Sequence, residues 1–226
     1  MTWILPTYGR AKQCAQVLRA LSEHKCSTPG LVFCNGPRDE YEREVIGAGA
    51  LPANWTLHFH HENVAAIGAM NWYFNKNPNE DWYGFISDDE YVLTDNWDKT
   101  LISAAGKLGI ANGDDGFMGR QRVQGLPCFG GGLVRAIGYI AIPTCWHWYG
   151  TDAMWESIDR VLKIRKFCPD VRIEHRHAYN RKSPMDETYR MGESRAVGDQ
   201  RAFNRWYKEE RPAVVGRIKL LSREVA

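Results

Sequence analysis

The sequence of residues 82–90 is W-Y-G-F-I-S-D-D-E, six mostly apolar residues followed directly by three carboxylates. A short apolar run of this kind predicts a buried β-strand, which places the acidic residues at its carboxyl end. In open α/β sheets, ligands bind beyond the carboxyl ends of the strands. We therefore expect the acidic cluster Asp88-Asp89-Glu90 to lie at a ligand site.

Apolar runs and helix-like patterns alternate along the rest of the chain. This alternation is typical of α/β proteins, in which a mostly parallel central sheet carries helices on both faces. No internal repeat or linker interrupts it, so we expect a single Rossmann-like domain over residues 1–226, ending in a basic helical tail at about 191–226. The other predicted strands cover residues 3–7, 30–34 and 55–60, and the predicted helices cover residues 12–24 and 63–74.

The composition is typical of a globular protein, with 44% hydrophobic and 25% charged residues. The six cysteines include no C-x-x-C pair, so we expect reduced thiols rather than a zinc knuckle or a disulfide framework. The chain opens without a signal-peptide pattern. The stretch at residues 136–151, which has no Asp, Glu, Lys or Arg, is too short for a membrane span and is interrupted by Pro143. We therefore expect a cytoplasmic protein (in the host cytoplasm, if phage-encoded) with no membrane span, and no pattern indicates its oligomeric state.

Three adjacent carboxylates at a partly buried strand end repel one another unless a cation offsets their charge. A hard divalent cation does so and can also bridge to a pyrophosphate. The alternative is an ordinary turn after a strand, where Asp is common. Further along, His175 and His177 would share one strand face with Val171 and Ile173. Beside a carboxylate site, this pair is typical of one metal ligand and its orienting partner, and mixed imidazole and carboxylate ligands favour Mn²⁺ over Mg²⁺.

Several motifs, in this order along the chain, resemble GT-A glycosyltransferases of the family 2 type, and in particular a compact subgroup found in phages and bacteria. The resemblance covers roughly residues 3–190. The motifs are I-L-P-T-x-x-R at 4–10, Asn63 with Gly68 and Asn71, F-I-S-D-D-E at 85–90, H-W-Y-G-T-D-A-M-W-E-S-I at 147–158, I-E-H-R-H at 173–177 and D-E-T-Y-R at 186–190.

The resemblance implies a nucleotide-sugar donor and a bound Mn²⁺ or Mg²⁺. The implied metal ligands come from Asp88, Asp89 and Glu90 together with His177, or with His175 as the second choice. The chain has Asp-Asp-Glu where the family has Asp-x-Asp, which leaves open which carboxylate is the direct ligand. The implied donor contacts are Pro6, Thr7, Arg10, Asn63, Asn71, Asp88, Lys182, Tyr189 and Arg190.

By the same resemblance, Asp152 matches the acidic residue that serves as the general base, accepting the proton of the acceptor hydroxyl. The alternative is an N-cap, because the residues after Asp152 have the pattern of a helix start. The cations of the 181–190 loop are suited to clamp the departing diphosphate, and an ordinary surface loop is the alternative there.

The expected function is thus metal-dependent transfer of a sugar from a nucleotide-sugar, such as a UDP-hexose, to an acceptor hydroxyl, with inversion at the anomeric carbon. Lys and Arg outnumber Asp and Glu in residues 160–226, whereas the reverse holds for residues 1–159. This basic third favours DNA as the acceptor, in the form of a 5-hydroxymethylated base of phage DNA. The alternatives are a polysaccharide or lipid-linked glycan acceptor, a nucleotidyltransferase of the same fold, and a non-catalytic nucleic-acid-binding module.

Overall fold

Eight strands form one mixed sheet in the computed structural model, which describes residues 2–120 and 122–224. They are β1 (Thr2–Thr7), β2 (Gly30–Cys34), β3 (Trp55–Phe59), β4 (Trp82–Phe85), β5 (Glu90–Val92), β6 (Ile110–Asp114), β7 (Cys128–Gly130) and β8 (Arg165–His175). Their order across the sheet is β3-β2-β1-β4-β7-β6-β8-β5, and only β7 and β5 run against the others. The carboxyl ends of β1, β4, β6 and β8 therefore meet at one edge, which also holds the start of β5.

Helices cover both faces of this sheet. They are α1 (Ala11–Glu23), α2 (Arg38–Tyr41) with its π-helical continuation Glu42–Gly47, α3 (Ala65–Lys76), α4 (Trp97–Ala105), α5 (Gly131–Ile137), α6 (Asp152–Leu162), α7 (Glu187–Glu209) and α8 (Arg211–Glu224), with 3-10 turns at Trp148–Gly150 and Ala178–Asn180. Since side chains alternate along a strand, Trp3 and Leu5 of β1 enter the core beneath α1 and α4. Ile4 enters the core beneath α3, α5 and α6. The predicted α/β fold is confirmed.

Several predicted boundaries differ from the observed ones at functionally important places. The strand predicted over 30–34 is found as such, whereas the strand predicted over 82–87 ends at Phe85 and residues 86–89 form a turn. Strand β8 ends at His175, so the prediction that His177 continues the strand is wrong. His177 instead caps the 3-10 turn at Ala178–Asn180, where its side chain accepts a hydrogen bond from the backbone N–H of Tyr179.

The basic C-terminal segment forms α7 and α8, and both helices pack against the domain. Trp206 of α7 is buried and donates a hydrogen bond from its indole N–H to the hydroxyl of Tyr139 at 2.5 Å. Val214 and Ile218 of α8 enter the same core as α5 and α6. The helices are thus held by apolar contacts, while their remaining faces stay exposed.

Two strand glycines make room for indole rings of neighbouring strands. Gly84 of β4 pairs with Trp3 of β1, and a Cβ at Gly84 would lie 2.1 Å from Cε3 of that ring. A Cβ at Gly30 would meet the ring of Trp55 at 2.0 Å. Because Trp3 also contacts Trp97 with 4.6 Å between ring centroids, the ring has little room to move away. The close approach of β1 and β4 therefore depends on glycine at position 84.

We expect Gly84→Ala to lower the free energy of unfolding by about 1–3 kcal/mol, since the added methyl group overpacks the site around Trp3. Urea denaturation provides the measurement. Gly216→Ala in α8 is the control, because a Cβ there would meet nothing within 4 Å. That variant should gain roughly 0.5–1 kcal/mol from helix propensity. Equal effects of the two substitutions would contradict this account of Gly84.

Candidate metal and donor site

The turn after β4 separates the three carboxylates that the sequence places side by side. Asp88, Asp89 and Glu90 are all buried, with 7%, 5% and 3% of their surface exposed. Each nevertheless has different hydrogen-bond partners. The cluster is therefore three separate functional positions rather than one set of ligands.

Asp88 is bound by the end of the first strand. Its two oxygens accept hydrogen bonds from the Thr7 hydroxyl at 2.8 Å and from Nη1 of Arg10 at 2.9 Å. The same guanidinium donates from Nε and Nη2 to both oxygens of Asp186, each at 2.7 Å. Burial raises the pKa of Asp88 to about 6, although the charge of Arg10 opposes the shift. Arg10 thus joins β1, the β4 turn and the start of α7.

Asp89 lies beside both histidines. The potential ligand atoms of Asp89, His175 and His177 all lie within 4.8 Å of one another, and this is the one group of its kind within residues 2–120 and 122–224. Oδ1 of Asp89 is 3.5 Å from Nε2 of His175, and Oδ2 accepts a hydrogen bond from the Tyr189 hydroxyl at 2.7 Å. One carboxylate and two imidazoles form a donor set that fits a divalent transition metal such as Mn²⁺.

His175 is oriented from behind by a carboxylate that the sequence analysis did not identify. Nδ1 of His175 is 3.1 Å from Oδ2 of Asp115, whose other oxygen accepts hydrogen bonds from the backbone N–H groups of Phe117 and Met118. Burial alone would lower the pKa of His175, but the hydrogen bonds to Asp115 and Asp89 raise it to about 10, so a metal ion that binds this ring would displace a proton from it. A carboxylate bound to the far nitrogen of a ligating histidine is the usual support of such a ligand.

His177 is held by aromatic rings. It stacks on Phe117 and on Tyr179, with centroid distances of 5.8 Å and 5.1 Å, and its ring meets Tyr189 edge-on at 4.5 Å. Burial lowers the pKa of His177, so its imidazole is neutral at pH 7. A neutral ring in a fixed position is the form that binds a metal ion.

Glu90 faces a different part of the site. Its oxygens accept hydrogen bonds from the backbone N–H groups of Ser87 and Gly125, both at 3.1 Å, and burial raises its pKa to about 7. Among the predicted metal ligands, the structure therefore brings together Asp89, His175 and His177. Asp88 and Glu90 are engaged with other partners, which favours Asp89 as the direct carboxylate ligand.

Asp152 is the first residue of α6 and is oriented by side chains. The N-cap position belongs to Thr151, which disfavours the alternative that Asp152 is the cap. One oxygen of Asp152 accepts from Nε2 of Gln124 at 2.9 Å, and the other accepts from the Thr151 hydroxyl at 3.1 Å. The next residue after Gln124, Gly125, donates its backbone N–H to Glu90. One loop therefore connects Asp152 to the acidic residues that follow β4. Burial raises the pKa of Asp152 to about 7, a value suited to a general base near neutral pH.

The remaining predicted donor contacts fall into two groups. Pro6 is buried in β1, beside Thr7 and Arg10, and Tyr189 lies beneath the Arg10 guanidinium at 4.1 Å. By contrast, the carbonyl oxygen of Asn71 accepts hydrogen bonds from the backbone N–H groups of residues 140 and 141, and its amide donates to the carbonyl of residue 141. Asn71 thus fixes a loop, and its carbonyl oxygen is fully used there.

The loop residues are more exposed. Lys182 pairs with Glu174 at 3.3 Å, and Arg190 is exposed on the first turns of α7. Asn63 accepts a hydrogen bond from the backbone N–H of Ala65 at 2.9 Å. It also borders a cleft of about 560 Å³ beyond the ends of β1, β2 and β3. The cleft is lined by Tyr8, Asn35, Gly36, Pro37, Arg38, Phe59, His60, His61 and Asn63.

Asp115 and Asp186 belong to this site but were not among the site residues predicted from the sequence. Asp115 directly follows strand β6, as Asp88 and Asp89 follow β4, so the same argument about the carboxyl ends of strands applies to it. Asp186 belongs to the D-E-T-Y-R motif, but its pairing with Arg10 joins positions 176 residues apart, and no local pattern reports such a pairing.

The arrangement of strands and helices is similar to that of solved GT-A glycosyltransferases, which confirms the predicted fold. Mannosyltransferase PcManGT from Pyrobaculum calidifontis, in complex with GDP-Man and Mn²⁺, is similar in structure with a TM-score of 0.59 and 12% identity, over 97% of this chain and 72% of that one. TarS of S. aureus has a TM-score of 0.56 and 11% identity over 76% of this chain. GalNAc-T7 with UDP, GalNAc and Mn²⁺ has a TM-score of 0.59 and 9% identity over 77% of this chain.

These similarities show the fold. The matched region is 35% of the TarS chain and 43% of the GalNAc-T7 chain, so those proteins are considerably longer than their shared part. The sequence matches no protein-family model and no curated protein. No helix within the described residues is both long and apolar enough to cross a bilayer.

We expect Asp89→Asn and His175→Gln each to weaken Mn²⁺ binding by at least roughly tenfold, because each removes one of three ligands. Asp115→Asn should weaken it by about 10- to 100-fold through loss of the orienting carboxylate. Electron paramagnetic resonance of free Mn²⁺ measures the affinity without any substrate. His61→Gln is the control, since His61 is exposed and outside the group. Unchanged Mn²⁺ affinity in Asp89→Asn would rule out this ligand set.

Proposed function

We propose that the chain is a metal-dependent glycosyltransferase that moves a sugar from a nucleotide-sugar, a UDP-hexose, to an acceptor hydroxyl. The observation that carries this proposal is the convergence of Asp89, His175 and His177 at the carboxyl edge of a GT-A sheet, with Asp152 joined to the same turn. Structures of similar fold support the choice of donor and metal. Glucosyl-3-phosphoglycerate synthase from Mycobacterium tuberculosis was solved with Mn²⁺ and UDP, and GalNAc-T7 with UDP and Mn²⁺.

The donor nucleotide fits the cleft beyond β1, β2 and β3. Asp88 is hydrogen-bonded to Thr7, which precedes Tyr8 of the cleft lining, and its carboxylate is held by Thr7 and Arg10 in one orientation. A carboxylate fixed in this way can accept hydrogen bonds from ribose hydroxyls or from the base. A divalent ion at Asp89 and the two histidines would neutralise the diphosphate and stabilise it as a leaving group. Lys182 of the adjoining loop and Arg190 of the first turns of α7 are exposed cations that are suited to close over that diphosphate.

Asp152 acts as the general base in this proposal. The acceptor hydroxyl oxygen forms a bond to the anomeric carbon while its proton passes to Asp152. The bond from that carbon to the diphosphate oxygen breaks, and its electron pair leaves with the diphosphate. Attack opposite the leaving group inverts the anomeric centre. Gln124 and Thr151 hold the carboxylate in place for the transfer.

The acceptor is less constrained than the donor. A 5-hydroxymethylated DNA base is favoured only by the basic α7–α8 segment and receives no support from the structural similarities. A glycan hydroxyl is the second candidate. A non-catalytic nucleic-acid-binding module would leave the buried metal-binding group and the oriented Asp152 without a role.

The direct experiment measures nucleoside diphosphate release from a panel of UDP- and GDP-sugars, with water, glycans or hydroxymethylated DNA as acceptors. We expect EDTA to abolish release, and Mn²⁺ to restore it at least as well as Mg²⁺. Full turnover by metal-free protein would overturn the metal assignment.

We expect Asp152→Asn to lower kcat by roughly 10²–10⁴ with little change in donor KM, because the amide keeps the shape but accepts no proton. In the wild type, kcat should rise with pH until about 7, the pKa to which burial brings Asp152. A fall in Tm together with full activity per folded molecule would show that Asp152 is only structural.

Stability gives a second readout of Asp152. A raised carboxyl pKa means that the folded state binds the proton more tightly than the unfolded chain, so ionisation of Asp152 destabilises the fold as pH rises from about 4 to about 7. The Asn variant lacks this ionisation. Its stability relative to wild type should therefore increase across that window, as measured by urea denaturation at several pH values. A constant difference would mean that the pKa of Asp152 is not raised.

A further inference from the structure

A second cleft lies between α7 and the loop at residues 143–146. It has a volume of about 480 Å³, and none of its lining residues is shared with the cleft at the ends of β1, β2 and β3. Three arginines of α7, Arg195, Arg201 and Arg205, line one side. The loop contributes Trp146, whose ring centroid is 5.1 Å from the Arg195 guanidinium.

The cleft is held in shape by a buried carboxylate. Asp199 of α7 is 5% exposed, and its oxygens accept hydrogen bonds from the backbone N–H groups of Trp146 and His147 at 2.8 Å and 2.7 Å. The Cys145 thiol also donates to the backbone carbonyl of Asp199, at 3.7 Å. The loop is therefore fastened to the helix, and the negative charge of Asp199 is directed at backbone donors rather than at the arginines.

The three arginines that line the cleft have no acidic partner among residues 2–120 and 122–224. Within the described part of the chain, no carboxylate forms an ion pair with Arg195, Arg201 or Arg205. Arg201 and Arg205 are exposed and stand four residues apart on one helix, a spacing at which like charges repel. An anion between the two guanidiniums would remove that repulsion and occupy their hydrogen-bond donors.

Close packing does not require glycine at position 198, which lines this cleft. Gly198 lies in the interior of α7, where glycine disfavours the helix, yet a Cβ there would meet no atom within 4 Å. Its position in the cleft lining leaves the helix backbone bare on that side. This is the arrangement expected where a ligand approaches the backbone closely.

The two segments that form the cleft, the loop at residues 143–146 and helix α7, are continuous along the chain with residues near Asp152 and Asp89. The loop continues through the 3-10 turn at Trp148–Gly150 to Asp152. Helix α7 begins beside Tyr189, which contacts Asp89. At 1.5 Å of rise per residue, Arg195 is about 9 Å and Arg205 about 24 Å along the helix from Tyr189. The arginine row therefore starts near the metal-binding group and runs away from it.

We propose that this second cleft binds a phosphodiester-bearing segment of the acceptor and guides its hydroxyl toward Asp152. Guanidinium groups bind phosphate oxygens in pairs, and Trp146 offers a flat face for the unit between phosphates. The proposal builds on the glycosyltransferase assignment, which it extends by naming the acceptor as anionic. A nucleic-acid strand and a polyol phosphate chain share this chemistry.

Binding of single-stranded oligothymidylate to the full chain without donor tests the proposal. The variant is R201Q/R205Q. Its matched control is R19Q/R160Q, which removes the same charge from exposed arginines of α1 and α6 that lie outside the cleft. We expect roughly tenfold weaker binding in the cleft variant only. The slope of log affinity against log salt should become less steep by about 1.4, since single strands contribute about 0.7 for each phosphate contact.

Two further oligomers identify what the cleft recognises. A methylphosphonate oligothymidylate keeps the bases without charge and should bind poorly. An abasic phosphodiester oligomer keeps the charge without bases. If the abasic oligomer binds as well as oligothymidylate, the cleft recognises phosphates alone. If the abasic oligomer binds less well, the cleft also recognises bases and the acceptor is a nucleic acid. Both results support the proposal. Equal binding of the uncharged oligomer, or equal losses in the two double variants, would overturn it.

Gly198→Leu gives a test that does not alter charge. Leucine favours the helix, so Tm should not fall, but its side chain should occupy the cleft and weaken oligothymidylate binding. Gly216→Leu in α8 is the matched control, since a Cβ there also meets no atom within 4 Å. Hydrolysis of the sugar donor by water should persist in Gly198→Leu. Loss of binding with intact donor hydrolysis supports the proposal, whereas intact binding contradicts it. Absence of donor hydrolysis in the wild type would instead count against the glycosyltransferase assignment.

Discussion

The site depends on the two ion pairs that the Arg10 guanidinium forms with Asp88 and Asp186. The guanidinium is buried and bound on one side to Asp88 and on the other to both oxygens of Asp186. A buried arginine is stable only where its charge and its donors are satisfied, and removing one partner of such a pair leaves an uncompensated charge. Because Asp186 is also the N-cap of α7, this one side chain ties the end of β1 and the turn after β4 to the helix that carries Tyr189 and the arginine row.

This tie also explains why the three adjacent carboxylates have different roles. Asp88 is turned toward Thr7 and Arg10, and Glu90 is turned toward the backbone of residues 87 and 125. Only Asp89 remains directed at the histidines. Its pKa would be raised by burial, but the hydrogen bond and charge of His175 lower it, so the carboxylate is ionised near neutral pH. The metal-binding group is thus defined as much by the partners of Asp88 and Glu90 as by its own ligands.

The sequence predicted the fold well because buried strands leave a strong local signal. Runs such as G-L-V-F-C at 30–34 are apolar throughout and are bounded by turn residues. It also indicated the edge of the sheet at which Asp89, His175 and His177 lie together, since carboxyl ends of parallel strands meet at one edge. It did not predict that Asp88, Asp89 and Glu90 would have separate hydrogen-bond partners, because most of those partners lie far from them along the chain. Thr7 and Arg10, for example, are 81 and 78 residues from Asp88.

The histidine pair illustrates the same limit. The alternation of buried residues correctly placed His175 on the apolar face of β8, but the strand ends there and His177 leaves it. His177 nevertheless reaches the same group, because the 3-10 turn that it caps and the stacking of Phe117 and Tyr179 fix its ring. Strand alternation therefore pointed to two histidines that do lie together with Asp89, but it gave the wrong reason for the position of the second one. The second histidine is positioned by a turn and by aromatic contacts, which strand periodicity does not describe.

Glu90 has no direct part in the proposed chemistry, yet its burial follows from the geometry of the site. Its carboxylate holds the backbone N–H of Gly125, and the preceding Gln124 binds Asp152. The proposed base and the proposed metal ligand thus lie at the two ends of one short chain of hydrogen bonds that runs from the β4 turn to the start of α6. In the proposed inverting reaction, proton transfer and departure of the diphosphate occur on opposite sides of one sugar carbon, so the spacing between these ends has to be fixed. A buried acidic residue is well suited to fix it, because Glu90 is shielded from solvent and each of its oxygens accepts a hydrogen bond from a backbone N–H group.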